Sequence, residues 1–250
     1  MRIVEYLVNY AKERDEKIKD IYIGTTWTCV LSKFCGTAST DPLSSHVNVR
    51  GFGHLHEKNI SELSEYLFSF NLLEASVGLA SINSIITPTY NTNYNGLDLA
   101  LELSTNKNVV MVGYFGYYPK LNEFNKIAKE FTILELNPFL VDPTRRIFPS
   151  TAAESIIPKA DIVIMTGMTI INKSIDRLIE LAKKNGNAYT MIVGPSVPML
   201  KDLLDLGIDI LSGIQVVNPN GFIRKITQGC GIISPEKLEY DVRYITLTRI

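Results

Sequence analysis

Apolar residues in the second half of the chain fall into five short runs, each ending in small or polar residues. They read VVMVG-YFG (109–116), ILELNP (133–138), IVIMTGMT (162–169), YTMIVGPS (189–196) and ILSG (210–213). Runs this short and this apolar suit strands buried on both faces of a parallel sheet. Helical spacing fills the gaps between them. Ile175, Leu178, Ile179 and Ala182 follow the i, i+3, i+4, i+7 pattern, with Asn172 placed to cap that helix. Ser196 is placed to cap the next helix, which Gly207 closes. Strands alternating with helices predict a Rossmann-like parallel α/β sheet with right-handed crossovers. Ligands of such sheets sit in the crevice at the carboxyl ends of the strands, where these polar endings fall.

The first half has a different rhythm. Val4, Leu7, Val8 and Ala11 predict an amphipathic helix over 2–17. IYIG (21–24), TWTCVL (26–31) and FCGTAST (34–40) read as short strands. Residues 41–60 read as a loop, and helical patterns follow at 61–69 and 73–86. The polar segment TPTYNTNYNG (87–96) is the expected linker. The chain is thus expected to form a small α+β domain over 1–90 and a Rossmann-like domain over 91–250.

Composition narrows the partners. The 250 residues are 46% hydrophobic and 20% charged, enough apolar material for a sizeable core. The net charge of −1 and the mixed charge pattern give no basic footprint for nucleic acid. No apolar run reaches the roughly 20 residues that span a bilayer, and the N-terminus lacks a signal-peptide core. Cys29, Cys35 and Cys230 form no metal-like spacing and are expected as reduced thiols in a cytoplasmic protein. A homodimer is the base expectation for a soluble oligomer.

Several groups can carry chemistry. Gly113 and Gly116 follow a strand and feed a helix, though the full dinucleotide fingerprint is absent. Glu135 ends the next strand, where a nucleotide-binding sheet places its ribose-binding acid. It is also the best candidate for proton transfer or metal ligation. Thr166, Thr169 and Asn172 offer short polar side chains, and Gly167 permits close approach. Gly194, Pro195 and Ser196 can cradle a carboxylate or phosphate. Asp142, Arg145 and Arg146 lie in a Pro-rich loop that can clamp an anion. His54 and His56, with His46 nearby, can ligate a metal from one face. Against each stands a structural alternative: tight turns, helix caps and solvated loops use the same residues.

ELNP (135–138), AAESIIPKADIVIMTGMTIINKSIDRLIEL (152–181) and VGPSVPML (193–200) resemble the proteins described as "putative heavy-metal chelation". WTCVL, FCGTAST and VGLASINSI (77–85) look like that family's N-terminal half. The resemblance covers nearly the whole chain. It implies an N-terminal half similar in fold to the enolase N-terminal domain, a Rossmann-like C-terminal half, and a site between them for a metal chelate or small molecule, with a transition metal ion as the implied cofactor. Carried over by position, the site comprises Gly113, Tyr114, Glu135, Asn137, Thr166, Gly167, Thr169, Asn172, Gly194, Ser196 and Gly213. Trp27, Thr28 and Asn83 face them from the first half. Tyr114 stands where relatives often carry histidine. Two other functions fit the same residues: an enzyme using adenosylmethionine or a nicotinamide nucleotide, and a non-catalytic assembly or scavenging module.

Overall fold

Helix α1 (Arg2–Lys12) buries Ile3, Val4, Leu7, Val8 and Ala11, the stripe its spacing predicts. The computed structural model describes residues 2–41, 47–87, 94–185 and 188–249. After α1 come three antiparallel strands, β1 (Asp20–Ile23), β2 (Trp27–Leu31) and β3 (Cys35–Ser39), in the order β1-β2-β3. Helices α2 (Ile60–Ser64) and α3 (Leu72–Asn83) complete this half. Asn71 starts α3 by accepting the backbone N–H groups of Leu73 and Glu74. The helix is buried from Glu74 to Ile82, so it runs through the core. Strand β3 lies hard against its end. A methyl group at Gly36 would fall on the Ser84 amide nitrogen and the Ala80 carbonyl oxygen, and within 2.6 Å of the Asn83 carbonyl carbon. Only glycine permits that approach.

The second half begins with α4 (Gly96–Leu103), then β4 (Asn108–Val112), α5 (Phe124–Ile127), β5 (Glu130–Glu135) and β6 (Ile147–Pro149). Next come α6 (Ala153–Ile156), β7 (Ile162–Thr166), α7 (Met168–Ile171), α8 (Ile175–Lys183) and β8 (Tyr189–Val193). Strand β9 (Ile210–Val216), helix α9 (Pro219–Thr227) and β10 (Val242–Thr248) close the chain. The strands form one sheet in the order β10-β9-β8-β7-β4-β5-β6. All neighbours are parallel except β10, which pairs antiparallel with β9. The chain leaves β4 toward β5 and β6, then returns to β7 on the other side. The switch point of the sheet therefore lies between β4 and β7.

This architecture is the expected one, a mixed α/β fold with a large, mostly parallel sheet and a smaller α+β part. Two elements went unread. Strand β10 and helix α9 lie in the C-terminal segment, and β10 supplies a wall of the site described below.

Alternate residues of each strand face opposite sides. One side, including Met111, Ile133, Ile164 and Met191, packs on α4 and Phe124 of α5. The other, including Val110, Leu134, Val163 and Ile192, packs on α8 and joins a core that continues through α1 and α3. Hydrogen bonds add to that apolar seam. The Arg2 guanidinium donates to the Leu206 carbonyl at 2.7 Å, and the Ile3 N–H to Asp176 at 3.1 Å. Lys173 donates to the Ser69 carbonyl across the seam and to its near neighbour Ile171 at 2.8 Å.

Gly36→Ala is expected to cost about 1–3 kcal/mol in urea unfolding, because backbone rather than a flexible side chain blocks the methyl. An unchanged midpoint would contradict this packing. Burial also lowers the Lys173 pKa to about 8. Between that value and the ordinary range near 10.4 the unfolded chain binds more protons than the folded one. This group's contribution to stability therefore rises with pH across that window. Relative to Lys173→Met, the wild type is expected to gain stability from pH 8 to pH 10 in parallel urea titrations; a flat difference would contradict the burial.

Candidate functional site

At the switch point, Gly113 follows β4 with φ of 96°, a left-handed conformation. Its N–H donates to the Leu134 carbonyl at 2.8 Å. A methyl at Gly113 would lie 2.8 Å from the Thr166 methyl carbon, so the two strand ends abut. Glu135 staples the next gap. One carboxylate oxygen accepts the Tyr114 N–H at 2.7 Å and the other the Asn137 N–H at 2.8 Å. Asn137 accepts the Phe139 N–H at 3.1 Å. Tyr114 receives a hydrogen bond from Arg145 at 3.1 Å. Asp142 holds Thr144, and Arg146 pairs with Glu130.

The loop after β7 is likewise satisfied internally. The Thr169 hydroxyl donates to the Thr166 carbonyl at 2.7 Å. Asn172 does not cap α8 as its spacing suggests. It ends α7 and accepts the Ser174 N–H and hydroxyl at 3.1 and 2.7 Å. Gly167 lies against Ser196, where a methyl would approach its Cβ to 2.9 Å.

Ser196 departs furthest from its expected role. No α-helix starts there; a 3-10 helix, Lys201–Leu206, begins five residues later. The Ser196 hydroxyl instead accepts the Ser39 N–H from β3 at 2.8 Å. Its carbonyl accepts the Asn83 amide at 3.2 Å, and the same amide donates to the Thr37 carbonyl at 2.8 Å. The turn after β8 is thereby clasped by the N-terminal half. Asn83 thus does face the C-terminal half. Trp27 and Thr28 do other work. The Trp27 indole donates to the Gly231 carbonyl at 3.2 Å within an apolar cluster holding Phe222 and Ile226. Thr28 is buried and bonded to Thr40 at 3.0 Å.

The turn at Gly194 and Pro195 separates two cavities, both of which also touch Ile214. The larger is a cleft of about 280 Å³ over the end of β8 and the adjoining part of β9. Asn95, Asp98, Tyr117, Tyr118, Lys120 and Tyr244 line it, with Gly194 and Gly213 at its floor. Asp98 accepts the Tyr118 hydroxyl and the Lys120 ammonium, each at 2.7 Å. The Asn95 amide donates to the Tyr244 hydroxyl at 3.4 Å. Desolvation at the cleft wall, then the neighbouring Tyr244, pushes the Tyr117 pKa up, less firmly than for its neighbours because half of the residue is exposed. Burial, then the carboxylates of Glu236 and Asp98, pushes the Tyr244 pKa up to about 12. Burial and the bond to Asp98 raise Tyr118 further. All three are neutral hydroxyl groups at neutral pH.

The smaller cavity, about 50 Å³, lies in the seam between β3 and β9. Of the sequence-derived candidates Asn83 and Pro195 line it. The cleft tyrosines are not among the residues that the strand-end pattern singles out. The sequence signals two of them only through the tripeptide Tyr117-Tyr118-Pro119, just beyond a strand end. Tyr244 gave none, since strand β10 itself went unread.

The histidines stand apart. His46 lies outside the described residues. His54 and His56 are exposed, with the His54 ring 2.9 Å from Glu57. Among the described residues no group of three or more His, Cys, Asp and Glu side chains is placed to hold a metal ion. No helix there is long and apolar enough to cross a membrane.

Ser196→Ala leaves the Ser39 N–H without its partner at a buried seam. It is expected to cost about 1–3 kcal/mol in chemical unfolding. No loss would mean that water replaces the hydroxyl and that the clasp is weak.

The chain is similar to proteins of matching length. An uncharacterized protein of Methanocaldococcus jannaschii is 24% identical over 216 residues, covering 83% of this chain and 82% of its own. A solved protein of unknown function from Desulfitobacterium hafniense, of the DUF364 family, superposes with a TM-score of 0.84 at 22% identity, over 99% of this chain and 98% of that one. A second, from Pyrococcus horikoshii, gives 0.78 at 21% identity with the same coverage. At these identities the likeness shows a shared fold. Family profiles carry the assignment further, matching residues 4–86 in the first half and 95–244 in the second. Both bear one description, and on that ground this chain belongs to the family described as "Putative heavy-metal chelation".

Proposed function

We propose that this protein binds a small organic molecule, free or as a metal chelate, in the tyrosine-lined cleft. The observation that carries the reading is the convergence of three neutral phenols, Asn95 and the Asp98–Lys120 pair on one cleft of about 280 Å³. That cleft lies at the carboxyl end of β8, where parallel sheets place their ligands. It is apolar-walled with a few converging polar groups, the composition of small-molecule sites.

The donor set argues for a chelate over a bare ion. Phenols whose pKa values are raised keep their protons at neutral pH, so they offer hydrogen bonds to a ligand. Asp98 is already engaged by Tyr118 and Lys120. A metal entering this cleft would be held through its organic periphery. The N-terminal half takes part indirectly, by fixing the Gly194–Ser196 turn through Ser39 and Asn83. The nucleotide-enzyme reading has less support. Thr166 crowds the Gly113 turn, and both Glu135 oxygens already accept backbone N–H groups.

Native mass spectrometry of protein purified without chelators tests this reading. A non-covalent small-molecule adduct is expected. The double variant Asp98→Asn, Tyr244→Phe is expected to lose it, with binding weakened at least about tenfold, equal to 1.4 kcal/mol. An adduct retained in full by the folded variant would refute the proposal.

A further inference from the structure

The segment 229–241, between α9 and β10, contains no helix or strand. It nevertheless supplies Ile232, Ile233, Ser234, Glu236 and Lys237 to one wall of the tyrosine cleft. With no ladder of its own, such a wall takes its position from the groups that satisfy its backbone. Its two ends are tied to α9. The Cys230 N–H donates to the Lys225 carbonyl at 3.0 Å, and the Lys225 ammonium donates to the Leu238 carbonyl at 2.8 Å. Between those ends the Leu238 N–H returns to the Ser234 carbonyl at 3.1 Å and the Tyr240 N–H to the Pro235 carbonyl at 2.7 Å. The remaining tie comes from the other half of the chain. The Trp27 indole donates to the Gly231 carbonyl at 3.2 Å. Trp27 also shares one apolar cluster with Ile233 and Leu238 of the segment and with Phe222 and Ile226 of α9.

Trp27 is 8% exposed and lines neither cavity, so it reaches the wall from behind. The small sheet fixes its place. Trp27 begins β2, and its carbonyl accepts the Gly24 N–H at 2.9 Å. The turn at Gly24 rests on the end of α9: a methyl there would lie 3.0 Å from the Trp27 carbonyl oxygen and 3.1 Å from that of Ile226. Directly opposite Trp27 in β3 stands Ser39. Its N–H donates to the Ser196 hydroxyl at 2.8 Å, beside the Gly194 and Pro195 that also line the cleft. Cross-strand partners stand only about 5 Å apart. One pair of the small sheet therefore reaches both the floor turn and the wall of the cleft.

We propose that Trp27 is a positioning residue of the ligand cleft: it holds the 231–237 wall to the small sheet, in register with the Ser39 bond that holds the floor. It touches no ligand and acts through a segment that does. Its loss frees the wall to move relative to the floor, because the other ties of the segment run only to α9 and within itself. The functional meaning of this role rests on the reading of the cleft as the ligand site. The coupling of Trp27 to the wall does not.

Trp27 is the only tryptophan of the chain, so its indole can be exchanged throughout the protein without touching another residue. Replacement by 3-benzothienylalanine keeps the shape and puts sulfur in place of the N–H. Trp27→Phe keeps a ring and loses the N–H. Hydrogen–deuterium exchange compares both full chains with the wild type. The Leu238 and Tyr240 amides, which bond to the wall, are expected to exchange about fivefold faster, the worth of one hydrogen bond, with β7 and β8 unchanged. Native mass spectrometry is expected to show less of the co-purified adduct in both. Wild-type exchange at Leu238 and Tyr240 in the isosteric protein would overturn the proposal. So would a rise of equal size in β7 and β8, which marks general loosening, or an adduct retained in full. Should Trp27→Phe fail to fold, the isosteric replacement decides alone. The exchange result needs no ligand, so a wild type without adduct would count against the cleft reading and not against the coupling.

Discussion

The hydrogen bonds that meet at Ser196 hold the turn after β8 to the N-terminal half, and the geometry of both cavities depends on them. The hydroxyl takes the Ser39 N–H, the carbonyl takes the Asn83 amide, and Asn83 reaches back to the Thr37 carbonyl. This arrangement is possible only because Gly36 brings β3 onto the end of α3, where Asn83 sits. A side chain at residue 36 would push the strand and helix apart and pull the clasp open. One backbone contact in the smaller half thus sets a loop in the larger one.

The two sides of that turn differ in chemistry. On one side oxygen and nitrogen donors surround a cleft large enough for an organic molecule. On the other, uncharged side chains, among them Thr37 and Asn83 with an unpartnered oxygen each, line a cavity of about 50 Å³.

Much of the large sheet was legible in the sequence. Strands buried on both faces carry continuous apolar runs, so β4, β5, β7, β8 and β9 announced themselves. Strand β10 did not. It reads VRYITLT, is antiparallel and lies at the sheet edge, where polar residues are tolerated. Missing it hid Tyr244. The polar strand ends were visible but their roles were not. Asn172, Glu135 and Ser196 are residues that caps, staples and ligand sites use alike, and only their partners distinguish these uses. Cys35 and Met199 lie far apart in sequence and line one cavity at a seam that no spacing rule encodes.

Hydrogen–deuterium exchange tests most directly the claim that the cleft, rather than the switch point, takes the ligand. The protein is compared with and without the small molecule that co-purifies with it. Protection is expected in residues 95–98, 117–120 and 232–237, which wall the cleft. Protection confined to the strand ends at 113–116 and 166–172, with the cleft segments unchanged, would contradict the account.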